Sequence, residues 1–275
     1  MPELPEVETI RRDLGRELPG RRVLRVPLAA PAMLRGLPAA RLRRAVEGRR
    51  FLEPRRHGKL LQLPLEGGVE LQVHLGMSGR LVVEPSAAPR APHTHVELSL
   101  EGGRSLRYRD PRRFGRWALV EGGRTWGRVF AHAGVDPLQP EFDAAALRAL
   151  LKAGRGEVKR LLLDQSRVAG LGNIYVCEAL HRARIHPARR ADTLGPPAAG
   201  RLHRAILEVL NAALEHRGTT LLDYRDAGGA PGAFQRQLGV YGRRGQPCPR
   251  CGRTVRRAVQ GGRSTFWCPG CQRRR

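Results

Sequence analysis

Lysine, acidic side chains and long apolar runs are all scarce in this chain, and each scarcity excludes something. Only three lysines, Lys59, Lys152 and Lys159, occur in 275 residues. Arginine supplies the positive charge almost everywhere, so each retained lysine asks for a reason of its own. Asp and Glu number 25 against 50 Lys and Arg, a formal charge of +25. GC-rich codon usage explains arginine in place of lysine, but not the excess of positive over negative charge. A surface of that sign points to a polyanionic partner, nucleic acid first. No apolar run approaches the roughly 18 residues of a membrane span. Met1 is followed by a charged, proline-containing stretch rather than a signal peptide. The expectation is a cytoplasmic chain with no membrane partner, whose five cysteines are thiols or metal ligands rather than disulfides.

What is present divides into two halves of different character. RRVLRVPL, KLLQLPL, VELQVHL, GRLVVE, THVELSL, RSLRYR and GRWALV are short, rich in Val and Leu and partly alternating, the pattern of strands. Glu66-Gly67-Gly68 and Glu101-Gly102-Gly103 fall between them as hairpin turns, and a third EGG spans 121–123. Seven or eight such strands predict a β-sandwich or barrel. The start differs: Pro5 suits a first helical turn, and Val7, Ile10, Leu14 and Leu18 share one helical face. A helix over about 5–18 is expected. After GVDPLQPEFD, a hinge or linker by its prolines, the patterns turn helical: DAAALRALLKA, EVKRLLLDQ, NIYVCEALHRAR and RLHRAILEVLNAALEHR. SRVAGLG, between the second and third, reads as a tight turn between helices. Such a turn is either an ordinary helical hairpin or one that offers backbone N–H groups to phosphate. The Gly-rich RDAGGAPGAFQRQ is read as a mobile lid or linker.

The most specific local signal lies near the end. CPRC and CPGC place Cys248, Cys251, Cys268 and Cys271 in a C-x2-C-x16-C-x2-C pattern, the spacing of a four-thiolate zinc site. Four sulfurs leave no coordination position for water, so one Zn2+ is expected in a structural role. Between the pairs, Gly261-Gly262 joins two strand-like runs, and Arg263 follows the turn. Residues 241–275 hold ten arginines and no acid, so this hairpin is expected to grip nucleic acid. Cys177, in a helical pattern, reads as a buried free thiol.

The opening MPELPE can be read two ways. Glu3 and Glu6 cap a helix, or they serve chemistry at the terminus. Removal of a methionine before proline exposes the Pro2 secondary amine. An α-amino group titrates near 8, well below lysine, and attack of a secondary amine on an acetal-like carbon gives an iminium directly. Glu3 stands beside that amine as a proton carrier, and Glu6 falls in the first turn, where negative charge suits the dipole. The segment alone leaves both readings open.

Taken in order, MPELPEVE, RRHGKLL, HLGMSG, DPRRFG, GLGNIYVCEAL, YGRRGQPC and the cysteine hairpin resemble the formamidopyrimidine-DNA glycosylases from end to end. The resemblance implies an α+β multidomain fold. A β-sandwich with an N-terminal helix (1–133) leads through a hinge (134–142) to a helix–two-turn–helix domain (143–240) and a four-cysteine zinc finger (241–275). It implies a monomer acting in the bacterial cytoplasm, associated with the nucleoid through DNA, with duplex DNA bound in a basic cleft. A lesion base is flipped out, Pro2 attacks C1′, Glu3 transfers protons, and β,δ-elimination cuts the strand. Substrates implied are 8-oxoguanine, formamidopyrimidines and abasic sites. Lys59 matches the family's essential lysine and Glu6 completes the catalytic set. Met77, Arg112 and Phe114 match the wedge that fills the vacated stack, while His74, Asn173 and Arg263 match phosphate contacts. Two alternatives stand beside this reading: the endonuclease VIII branch that removes oxidised pyrimidines, and a non-enzymatic damaged-DNA-binding protein. Leu4 and the Met77/Arg112/Phe114 set favour the purine enzyme over the first. The set of Pro2, Glu3, Glu6 and Lys59, which binding alone does not require, speaks against the second.

Overall fold

A computed structural model describes residues 2–127, 133–221 and 224–274. The chain forms two compact units: Met1–Ala131 with His216–Ala233, and His132–Glu215 with Phe234–Arg275. Contacts divide the chain discontinuously, whereas the boundaries implied by the resemblance are linear. Residues 216–233 belong with the first unit, and residues 134–135, expected in a linker, are hydrogen-bonded into the second through Gln165 and Arg167.

In the first unit, α1 (Leu4–Glu17) is followed by β1 (Val23–Ala29) and two short helices, α2 (Pro31–Leu34) and α3 (Ala39–Val46). Eight strands come next: β2 (Arg55–His57), β3 (Leu60–Leu65), β4 (Val69–His74), β5 (Arg80–Pro85), β6 (Thr94–Leu100), β7 (Arg104–Arg109), β8 (Arg116–Glu121) and β9 (Arg124–Trp126). They build two antiparallel sheets, β1-β6-β7-β5 and β2-β3-β4-β8-β9. Alternation decides which face is inside: in β3 and β4 every second residue is buried, as a half-buried strand requires. Leu61, Leu63, Leu71, Val73 and Leu119 from one sheet meet Val96, Leu98, Leu106 and Tyr108 from the other in a single core. The EGG triplets lie at the β3–β4, β6–β7 and β8–β9 connections. Helix α1 adds Val7, Ile10 and Leu14 to this core, and each such buried side chain contributes about 1.5–3 kcal/mol. That anchoring is what holds the N-terminal residues in place.

The second unit contains α4 (Ala144–Lys152), α5 (Val158–Leu163), α6 (Asn173–Arg182) and α7 (Pro196–Glu215), then the hairpin β10 (Arg256–Gln260) and β11 (Arg263–Trp267). Asp143 caps α4 by accepting from Ala146 N at 2.7 Å. The hairpin turns on Gly261-Gly262, with Gln260 paired to Arg263. Cys177, 1% exposed, packs with Val240, Val255 and Phe266 beneath it, as a buried thiol should. Among the described residues no helix is long and apolar enough to cross a membrane.

Candidate active site and nucleic-acid interface

The segment from Pro2 onward is buried. Pro2 is buried, Glu3 is 4% exposed and Glu6 is 2% exposed. Glu3 is the N-cap of α1 and forms a reciprocal capping box with Glu6; Glu3 N donates to Glu6 Oε2 at 2.8 Å. The other Glu6 oxygen accepts from Thr219 N at 2.7 Å. This approach is close enough to require glycine next door. A Cβ on Gly218 would lie 2.9 Å from Glu6 Oε1, and its φ is +87°. The Gly-rich stretch that follows, read from sequence as mobile, is instead tied down through residues 226–233. Asp226 Oδ1 accepts from Gly228 N and Ala230 N, Arg217 bridges Asp226 and Asp13, and Ala233 N closes the base onto His216 O. An acidic side chain folding the backbone around itself is what a glycine count does not show.

Lys59 occupies the second position of the two-residue turn between β2 and β3, yet it is only 8% exposed. The turn is braced from α1. Arg56 Nη1 donates to Gly58 O at 2.8 Å and its Nε pairs with Glu8 at 3.1 Å. Burial pushes the Glu8 carboxyl up, but Arg11, Arg56 and Arg12 outweigh it and hold the group below its usual value. His74 ends β4 opposite Leu60, next to this turn. Burial, reinforced by the charges of Lys59 and Arg116, drives its pKa down to about 4. It is therefore neutral at physiological pH. Its Nδ1 accepts from Gly76 N at 3.2 Å, which places the proton on Nε2.

Met77 and Phe114, which would read as core residues by type, are 37% and 48% exposed. The Arg112 guanidinium lies 5.0 Å from the Phe114 ring centroid, a cation–π arrangement. The two loops that carry them are clamped by Asp110, which is fully buried. Its carboxylate accepts from Ser78 Oγ at 2.6 Å, Gly115 N at 2.8 Å and Tyr108 OH at 3.2 Å. Ser78 Oγ in turn accepts from Arg112 N, and Tyr108 OH also reaches Leu75 O at 3.1 Å. The loops touch so closely that a Cβ on Gly76 would lie 2.6 Å from the Phe114 carbonyl carbon.

In the second unit, Asn173 is the first residue of α6 and its Nδ2 donates to Ser264 O at 2.8 Å. Lys159, 0% exposed, donates to the same carbonyl at 3.0 Å and to Thr265 Oγ1 at 2.7 Å. The buried Lys159 side chain thus pins β11 to α5, and Asn173 pins it to α6, one residue beyond the exposed Arg263. Glu178 on α6 does the same for the approach to the finger. Its carboxylate accepts from Gly239, Val240 and Tyr241 N at 2.8–3.0 Å. Burial pushes this carboxyl up, opposed by those three donors.

Three family models match this chain. The formamidopyrimidine-DNA glycosylase N-terminal domain matches residues 1–117, the H2TH domain of the same enzymes matches 133–224, and the zinc finger found in FPG and IleRS matches 245–274. The chain belongs to the formamidopyrimidine-DNA glycosylase family. These are DNA glycosylases that also act as lyases at abasic sites. The formamidopyrimidine-DNA glycosylase of Pelotomaculum thermopropionicum is 44% identical over 274 residues, 99% of each chain. That of Cereibacter sphaeroides is 46% identical over 286 residues, covering 99% of this chain and 100% of the relative. Among solved structures, MutM (Fpg) from Thermus thermophilus is 45% identical with a TM-score of 0.84 over 98% of each chain. Lactococcus lactis Fpg bound to abasic-site DNA is 32% identical with a TM-score of 0.88, over 99% of this chain and 100% of that one.

The zinc finger of this glycosylase has the ligands that sequence spacing assigns. The sulfurs of Cys248, Cys251, Cys268 and Cys271 all lie within 4.8 Å of one another. Two pairs stand at 3.9 and 3.3 Å, bracketing the roughly 3.8 Å tetrahedron edge that follows from a Zn–S bond of about 2.3 Å. The set fits one structural zinc ion. His181 Nε2 stands 3.4 Å from Cys248 Sγ, placed to donate to the thiolate and orient it. The residues that sequence reasoning missed are mostly supports: Arg56 and Glu8 behind Lys59, Asp110 and Ser78 behind the loops that carry Met77 and Phe114, Glu178 and His181 behind the finger. Only Lys159 carried a signal, its rarity as a lysine.

Proposed function

We propose that this glycosylase excises oxidised purines, 8-oxoguanine and formamidopyrimidines, from duplex DNA through a Schiff base on Pro2, and then cuts the strand by β,δ-elimination. The observation that carries this reading is the held segment 2–6. Residues near a chain end are ordinarily mobile, whereas here Pro2 and Glu3 are buried and Glu6 accepts N–H bonds from Glu3 and Thr219. After removal of Met1, the Pro2 nitrogen lone pair attacks C1′ of the flipped nucleotide. The bond to the base breaks, and an iminium forms between Pro2 and the opened sugar. Glu3, the adjacent carboxyl, carries the proton that opens the sugar ring and later removes one to start elimination. Glu6 keeps the two in register. Lys59, a cation in a braced turn beside neutral His74, meets the phosphate and the lesion. His74 donates through Nε2–H to a phosphate. In the second unit, Asn173 has a further N–H on Nδ2 at the start of α6, where helix amides also favour phosphate, and Arg263 extends from the hairpin turn. Met77 and Phe114 are exposed apolar side chains suited to fill a vacated stack and kink the duplex, and Arg112 offers donors to the orphaned cytosine.

The test is borohydride reduction on a duplex with one 8-oxoguanine opposite cytosine, followed by mass mapping. An adduct on Pro2 supports the reading; tight binding with no adduct overturns it. A second substrate reading has one observation behind it: a solved structure of Lactococcus lactis Fpg holds DNA containing an oxidised pyrimidine. Parallel rates on 8-oxoguanine and thymine glycol duplexes separate the two, and faster excision of thymine glycol would reverse the assignment. The enzyme acts as a monomer on bacterial chromosomal DNA in this reading.

A further inference from the structure

A cavity of about 480 Å³ opens beside the zinc finger, within the second unit. Five arginines line it, Arg184, Arg189, Arg201, Arg250 and Arg273, and the rest of the lining is Gly270 and two zinc cysteines. No acidic residue lines it, and none of the five makes an ion pair among the described residues. Two other arginine-lined cavities of this chain include acidic side chains in their walls. The cavity at Arg25, Arg90 and Arg107 contains Glu97, which pairs with Arg90 and Arg107. The one at Arg16 and Arg21 contains Glu17 and Glu101. The zinc centre itself does not balance the charge. A zinc ion with four thiolates carries two net negative charges, so five guanidiniums leave an excess of roughly three positive ones. Arg184 follows the end of α6 with φ +57°, a left-handed position where glycine is the ordinary occupant.

We propose that this cavity is a second phosphate-binding site, which engages the backbone of a DNA segment other than the one being repaired. Guanidinium forks match phosphate oxygens in pairs, and the site shares no residue with Asn173, Lys159, Ser264 or Arg263 at the hairpin. A protein holding two segments passes from one to the other without full release. The search for lesions then proceeds by exchange between strands as well as along one. The inference does not depend on which lesion is excised.

The experiment follows dissociation of the full-length, zinc-loaded enzyme from a fluorescent lesion-free duplex, chased with increasing concentrations of unlabelled duplex. Wild type and an Arg189→Glu/Arg201→Glu variant are compared at matched zinc content. Both substituted side chains lie outside the proposed catalytic and repair-duplex contacts, and excision of 8-oxoguanine on dilute DNA serves as the internal control. The expected result is a dissociation rate that rises with competitor in the wild type and is flat in the variant, with equal excision. The competitor-dependent step of the wild type should weaken as salt rises, as phosphate contacts require. A rate independent of competitor in the wild type, or an equal rise in both proteins, overturns the proposal. A third arm titrates inorganic tripolyphosphate. Binding of tripolyphosphate to the wild type but not the variant, with no competitor dependence, would overturn the DNA assignment and leave a site for free oligophosphate.

Discussion

Glu6 accepts N–H bonds on both carboxylate oxygens, one from Glu3 and one from Thr219. Glu6→Gln keeps the shape but turns one acceptor into an N–H2 group facing an N–H donor. Leaving a buried donor unmet costs about 1–3 kcal/mol. We expect a lowered melting temperature and a slower borohydride-trapping rate, with binding of undamaged DNA little changed. His74 makes a prediction of opposite kind. Its folded pKa of about 4 lies below its ordinary value of 6.5, so as pH falls the unfolded chain takes the proton first. Its contribution to stability is full above pH 6.5 and is lost between 6.5 and 4. Denaturant midpoints of wild type and His74→Gln across that window should differ in slope, the wild type losing more. An equal slope would show that His74 is not the buried neutral imidazole described. The motifs around Glu6 and His74 drew attention to them in sequence, but their partners were not legible there. Thr219 stands 213 positions from Glu6 in sequence, and no local pattern marks it.

Among the elements, the loop pair clamped by Asp110 and the hairpin pinned by Lys159 carry the clearest consequences. Asp110→Asn keeps an acceptor for Ser78 but cannot satisfy Gly115 N and Tyr108 OH together. It should free the loops bearing Met77, Arg112 and Phe114. The expected outcome is a several-fold loss of discrimination between cytosine and adenine opposite the lesion, while cleavage at a preformed abasic site is largely kept; equal losses on both would refute a positioning role. Removing zinc should melt residues 245–274 and leave the β-sandwich folded, because structural zinc supplies about 10–16 kcal/mol in isolated fingers and the sandwich has its own core. Chelation followed by circular dichroism and protease mapping checks this. The cysteine ligands were readable because their spacing is local chemistry, and the EGG turns because loop length and glycine fix a hairpin. Asp110 lay inside the quoted DPRRFG and still gave no sign of its role. A buried carboxylate is defined by the donors that surround it, and those come from separate strands. The Gly-rich stretch after Tyr224 hid its order for the same reason: its glycines are visible in sequence, while the Asp226 and Arg217 bonds that fix it are tertiary.

At the scale of the whole molecule, the charge of +25 makes association with DNA steeply dependent on salt. With six or more phosphates neutralised, affinity should fall about a thousandfold or more between 50 and 200 mM salt. A nearly salt-independent affinity would argue that the arginines serve another purpose. Composition foretold that partner, and strand and helix patterns foretold the order of the elements. What they could not foretell is that the first unit is discontinuous, built from Met1–Ala131 and His216–Ala233. This has a consequence in time. On a ribosome adding about 5–20 residues per second, roughly 10–40 s separate the emergence of Glu6 from that of Thr219. Throughout that interval the N-terminal segment lacks the N–H that completes its hold. The long return of the chain delays assembly of that end until synthesis is nearly finished.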